Sequence, residues 1–269
     1  MSGNGDDGLI EDRPSPAFRR FFAWYATRLV SRRFHALRLL KGSREILEEA
    51  LDADRSMITL ISHVSWWDPL VGLVLWRKLF VGRDILMPMA SEQLSRFRFF
   101  RRLGVFGIDP DDPTSMGQMR RHVLQRLAQS PDTILGLTPQ GRFTDPREPI
   151  RLRPGAAAIA AACERSPSVV VISIEYVFWQ DARPELLVAV RSCDSPEAGS
   201  TTDWYRAMEE GMRRCAKDLA AASIARDESA FEVLEGGKDR INPFMDAWLR
   251  IRGRSGGIAA TRAAPKGSA

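Results

Sequence analysis

A chain of 269 residues, 44% apolar and 27% charged, is globular in composition and long enough to bury one large core, which excludes a fibrous or wholly disordered protein. The formal net charge of +5 favours an anionic partner, either membrane lipid or nucleic acid. Cys163, Cys193 and Cys215 form no C-x-x-C pair, which argues against a disulfide framework and for a reducing compartment.

Residues 1–12 are acidic and Gly-rich, so no secretory signal is expected there, and residues 1–13 are expected to be disordered. From Pro14 to Lys41 the chain holds Arg19, Arg20, Arg28, Arg32, Arg33, Arg38 and Lys41 with no acidic residue, interleaved with aromatic and leucine residues at helical spacing. This predicts a basic amphipathic helix over 14–42 that either docks on an anionic membrane surface or covers the domain core. It lacks a zinc-finger or RNA-binding-sheet signature, so nucleic acid is not the expected partner. Gly42-Ser43 breaks the helix, and Arg44–Leu51 forms a short one. No apolar run reaches the roughly 20 residues of a membrane span; Ile58–Trp76 comes nearest, and His63, Asp68 and Pro69 interrupt it.

The run Met57–Ile61 reads as a buried strand, and Asp68-Pro69 as a helix start with Asp68 as N-cap. His63 therefore lies where a strand passes through a loop into a helix, a common position for chemistry in α/β folds. A carboxylate on one imidazole nitrogen fixes the tautomer and balances the charge when the other nitrogen takes a proton. A hydrogen-bonded structural histidine and an ordinary cap are the alternative.

Beyond it, the patterns predict a helix to about Leu79, a strand Ile85–Met89, a helix Glu92–Arg102 and a glycine-bearing strand Gly104–Ile108. Next come a helix Gln118–Ala128, a strand Thr133–Leu137 and a small-residue helix from Pro154, whose N-terminus is suited to an anion. Strands Val169–Phe178 and Leu186–Val190 and a long helix Asp203–Ile224 follow, before a Gly/Ala/Ser tail, 253–269, expected to be mobile. Alternating strands and helices imply an α/β fold, a mostly parallel mixed sheet flanked by helices, with the amphipathic helical element at its N-terminus. The sequence has no G-x-S-x-G elbow, dinucleotide fingerprint, phosphate loop or zinc-spaced His/Cys cluster, so neither metal nor cofactor is expected.

His63-Val64-Ser65-Trp66-Trp67-Asp68 resembles the H-x4-D signature of the PlsC-like glycerolipid (lysophosphatidic acid) acyltransferases. Gly104–Asp109, Thr138-Pro139-Gln140-Gly141-Arg142 and Val169–Ile174 resemble the family's later blocks in matching order. The resemblance implies an acyltransferase domain over 43–252 that moves a fatty acyl group from acyl-CoA or acyl carrier protein to a hydroxyl of a lipid acceptor, foremost a lysophospholipid. It implies His63 as general base, Asp68 as its orienting carboxylate, and Gly104, Gln140, Gly141, Arg142 and Arg147 as substrate-binding residues. It also implies a peripheral protein on the cytoplasmic face of the membrane. Two departures stand out: Gln140 replaces the family's glutamate, and Pro110 occupies the place of an arginine credited with gripping the acceptor phosphate. Arg142 or Arg147 is the substitute for that arginine, or else the acceptor carries no phosphate, as in a glycolipid, carotenoid glycoside or amino lipid. A non-catalytic membrane-binding protein is the alternative of another class.

Overall fold

The computed structural model describes residues 9–236, apart from 53–54, 81, 131 and 197–198. The expected mobile tail and the last stretch of the expected domain lie outside the described residues. One eight-stranded sheet organises the chain: β1 (Ala36–Leu40), β2 (Met57–Ile61), β3 (Asp84–Ala90), β4 (Val105–Ile108), β5 (Thr133–Leu137), β6 (Ser168–Val177), β7 (Glu185–Ser192) and β8 (Phe231–Gly236). Its spatial order is β4-β3-β5-β2-β6-β7-β1-β8. The pairs β6–β7 and β1–β8 are antiparallel and the other five parallel, so the sheet is mixed and mostly parallel, as expected.

Helices α1 (Pro16–Arg33), α2 (Ser43–Asp52), α3 (Asp68–Leu79) and α4 (Ser91–Arg96) contribute to the core on one face. On the other lie α5 (Pro113–Gln129), α6 (Gly155–Ala162) and α7 (Thr201–Ala225). Coverage on both sides explains why the central strands read as unbroken apolar runs. Along β6, Val169 and Val171 enter the core under α7, whereas Val170, Ile172 and Ile174 enter the core under α1 and α3. Each aliphatic side chain buried this way contributes about 1.5–3 kcal/mol.

Several expectations are corrected. The N-terminal helix stops at Arg33, and residues 36–40 form a buried strand between β7 and β8. The helical spacing failed there because alternate burial in the sheet overrides local pattern. Two of the basic residues are internal rather than headgroup ligands. Arg19, 2% exposed, pairs with Asp84 at 2.7 Å and lies over the Trp76 ring, and Arg38 donates to Glu185 at 2.9 Å. The other face of α1 turns Phe21, Trp24 and Tyr25 to solvent. Residues 9–13, expected to be disordered, are held: Gly107 N–H donates to Ile10 O, Arg13 N–H donates to Arg101 O, and Asp12 pairs with His122 and Arg126.

The helix expected over Glu92–Arg102 breaks at Phe97 into α4 and a 3-10 turn, Arg98–Leu103, which lets Phe99 meet Phe22 of α1 at 5.3 Å. Gly104 closes that turn with φ +99°, and a Cβ there would stand 2.0 Å from Ile85 O. Only glycine fits. Helix α5 starts earlier than expected because the Asp112 carboxylate caps it, accepting from Thr114 N–H and Ser115 N–H, with Pro113 in the first turn.

Candidate active site

The C-terminal ends of β2, β5 and β6 converge at one edge of the sheet. Ser62 extends the pairing of β2 with β6: its N–H donates to Ile172 O, and its Oγ accepts from Ile174 N–H. His63 follows, and the chain then turns through Val64, Ser65, Trp66 and Trp67 into α3.

Asp68 organises that turn. Its Oδ2 accepts from Val64 N–H at 2.8 Å and Ser65 N–H at 2.9 Å, and lies 3.0 Å from His63 Nδ1. Its Oδ1 accepts from the Tyr176 hydroxyl at 2.7 Å. The expected N-cap role is therefore corrected: Trp67 holds the cap position, no side chain caps the helix there, and Asp68 is the first helical residue. The carboxylate reaches back into the loop instead of forward to the helix N–H groups. With its side chain 3% exposed, the carboxylate needs these donors, and the positive end of α3 favours its charge further. A carboxylate only accepts, so Nδ1 carries the ring proton and Nε2 keeps a lone pair. The His63 side chain remains 21% exposed. An imidazole held like this can take a proton from a hydroxyl brought to Nε2.

A second loop, after β5, clamps the first. Gln140 Oε1 accepts from His63 N–H at 3.1 Å, and its Nε2 donates to Thr144 Oγ1 at 2.6 Å, while Thr144 N–H donates to His63 O at 2.8 Å. Both ends of the Gln140 amide are thus used in holding His63. Gly141 turns with φ +69°, and a Cβ there would meet Arg153 Nε at 2.7 Å. Phe143 lays its ring on the His63 imidazole, centroids 4.1 Å apart and planes inclined by 32°.

Of the expected site residues, His63, Asp68, Gln140 and Gly141 come together. Arg142 and Arg147 stand on the exposed continuation of the loop, each on a carboxylate: Arg142 on Glu148 at 2.9 Å, Arg147 on both oxygens of Asp145. The Arg147 hydrogen bonds hold the Asp145 carboxyl well below its usual range. Gly104 is not brought to the site. It precedes β4 at the N-terminal edge of the sheet, where it lets β3 approach closely, so its expected substrate contact is replaced by a packing role.

Sequence reasoning missed Tyr176 and Phe143. Burial and then the adjacent Asp68 charge push the Tyr176 phenol upward, which keeps it a donor. Its ring lies 5.6 Å from Phe34, which also meets Trp67 edge-on at 5.1 Å, so the end of α1 braces the loop. Beside the two loops a small cleft of about 20 Å³ opens among Ser62, Gln140, Thr144, Ile150, Ile174 and Met212, and burial raises the Glu175 carboxyl that also lines it.

The family model described as Acyltransferase matches residues 43–177, half of the chain. The chain belongs to the acyltransferase family. Among solved structures, this acyltransferase is similar to the crystal structure of the 1-acyl-sn-glycerophosphate (LPA) acyltransferase PlsC from Thermotoga maritima. The TM-score is 0.53 and the identity 16%, over 76% of this chain and 80% of that one. That likeness is one of fold. No curated protein matches. The family match covers the elements that carry His63, Asp68, Gln140 and Tyr176, but leaves out α1, β1, β7, α7 and β8.

Proposed function

We propose that this acyltransferase moves a fatty acyl group from a thioester, acyl-CoA or acyl carrier protein, to a hydroxyl of a lipid, with His63 as general base. The observation that carries the reading is the pair His63 Nδ1–Asp68 Oδ2 at 3.0 Å, with the carboxylate buried and the imidazole partly exposed. The acceptor oxygen bonds to the thioester carbonyl carbon while its proton passes to Nε2. Asp68 balances the imidazolium. The tetrahedral intermediate then collapses, the C–S bond breaks, and His63 returns the proton to the departing sulfur. The balance closes on an ester and a thiol, with no nucleophilic side chain required. A general base contributes about 10²–10⁴-fold, so holding the two substrates in reach must supply more.

The protein works at the cytoplasmic face of an anionic membrane. Exposed Phe21, Trp24 and Tyr25 on α1, with Phe97 and Phe99 nearby, form an aromatic surface flanked by Arg20, Arg28 and Arg98. This combination suits a lipid interface. Among the described residues no helix is long and apolar enough to cross a membrane. Removing residues 1–42 would take β1 out of the sheet, so docking is tested by changing Phe21, Trp24 and Tyr25 to Ser. Sedimentation with anionic vesicles should fall for that variant and for wild type in high salt, and an unchanged bound fraction would refute the docking surface.

The function itself is tested with His63→Ala. Folded protein with acyl transfer from palmitoyl-CoA to lipid hydroxyls reduced at least about 10²-fold supports the assignment. Full activity in the variant removes His63 as the base. Complete lack of transfer in wild type across donors and acceptors would favour a non-catalytic membrane-binding role.

A further inference from the structure

The surroundings of the His63 ring restrict what can carry the reacting hydroxyl. Phe143, 53% exposed, covers one face of the imidazole at 4.1 Å. It is not needed to complete the core, since a buried aromatic would serve that purpose and this ring faces solvent. Three of the four arginines of the loop between β5 and α6 hold partners: Arg142 with Glu148, Arg147 with Asp145, and Arg153 with Pro110 O at 3.2 Å and Asp111 at 3.5 Å.

A hydroxyl delivered to Nε2 must come within about 2.6–3.2 Å. Substituents on the neighbouring carbon then lie roughly 4 Å away, three bonds on, in the range of the Phe143 ring. A phosphate in that place would face the negative π surface and give up hydration, and Arg142, next to Phe143, already holds Glu148. The C–H bonds of a sugar or glycerol unit carry the opposite partial charge and fit a ring face, and their hydroxyls can remain in water. We propose that Phe143 forms the acceptor platform of this acyltransferase, selecting a lipid whose reacting hydroxyl belongs to a neutral polyol head, a sugar or glycerol, over one that bears a phosphate beside it. The inference rests on the His63 reading above for where the hydroxyl is placed.

The test compares octyl glucoside with octanoyl lysophosphatidic acid, both below their micelle concentrations, as acceptors from palmitoyl-CoA, with products read by mass spectrometry. Wild type should favour the glucoside in kcat/KM by at least about tenfold, a difference of about 1.4 kcal/mol. Phe143→Arg should move that ratio towards the phosphate acceptor by a similar factor. Equal use of both acceptors, preference for lysophosphatidic acid, or a ratio unmoved by Phe143→Arg overturns the proposal. A second readout needs no turnover: protection of His63 from diethylpyrocarbonate, mapped by peptide mass. Protection by octyl glucoside but not by lysophosphatidic acid supports the platform, and the reverse or equal protection refutes it. If His63→Ala keeps transferring acyl groups with the glucoside preference intact, the base assignment fails while the acceptor class stands.

Discussion

Replacing Tyr176 with Phe removes one hydroxyl and leaves the ring that packs on Phe34. That hydroxyl supplies the hydrogen bond on Asp68 Oδ1, while Oδ2 collects two backbone N–H groups and faces His63 Nδ1. A hydrogen bond to a charged group contributes about 1.5–3 kcal/mol, so Tyr176→Phe should lose about that much in urea unfolding. The same hydroxyl helps fix the Asp68 carboxylate against His63 Nδ1, and a carboxylate held less firmly orients the imidazole less well. The assay is steady-state acyl transfer from palmitoyl-CoA by folded protein. The kcat should fall, by less than the roughly 10²-fold loss expected when the base itself is removed, while the KM for palmitoyl-CoA stays in place. A purely structural Tyr176 would lower the urea midpoint and leave kcat per folded molecule untouched, and that result refutes the reasoning.

Asp68→Asn keeps the shape but puts an amide against donors, so the wrong histidine tautomer is favoured; kcat should fall about 10³–10⁴-fold in steady-state assays of folded protein. Gly104→Ala forces a Cβ to 2.0 Å from Ile85 O at φ +99°, and should destabilise by more than about 2 kcal/mol in urea unfolding, with activity per folded molecule retained. Asp12 gives the pH-dependent case. Burial alone would raise its carboxyl, but the His122 hydrogen bond and the Arg126 charge more than offset that, and the net shift is downward. Its contribution is therefore present above the unfolded value near about pH 4 and disappears as pH falls through the lower folded value. Asp12→Asn should cost about 1–3 kcal/mol near neutral pH, and the gap from wild type in urea midpoint should close in acid.

The strand Met57–Ile61 and the helix ending at Leu79 were legible because a short apolar run and an Asp-Pro start are local signals, and they appear as β2 and α3. Strand β1 was not, because its order is imposed from outside. Ala36–Leu40 carries arginine and leucines at spacings a helix also accepts, and only pairing with β7 and β8 decides. Arg38 misleads for the same reason, since its partner Glu185 is far along the chain. The histidine–aspartate spacing was legible as a motif, whereas Tyr176 was not. It lies 108 residues from Asp68, and the contact requires β6 beside β2 and the even-numbered face of β6 turned towards α3. Phe143 gave no signal, since an exposed aromatic in a loop has no pattern until the loop closes over His63.

Spacing alone also fails to say which histidine does chemistry, because each of the three has a carboxylate. His35 Nδ1 lies 2.5 Å from Glu185, and His122 Nε2 lies 3.2 Å from Asp12. What separates His63 is the company its carboxylate keeps. Glu185 also accepts from Arg38 at 2.9 Å and Asp12 from Arg126 at 3.0 Å, so in both places a permanent cation already balances the negative charge. Asp68 accepts otherwise from two backbone N–H groups and a phenol, all neutral, and among the described residues no lysine or arginine pairs with it. Its charge is thus held in place by dipoles and left uncompensated, which is the condition under which forming an imidazolium next to it is favourable. A lysine or arginine introduced against Asp68 Oδ1 in place of Tyr176 would supply the cation that the other two carboxylates already have, so an imidazolium formed during transfer would gain less from Asp68. The kcat of folded protein should then fall further than in Tyr176→Phe, and equal kcat in the two variants would refute the idea that the uncompensated charge of Asp68 is what selects His63.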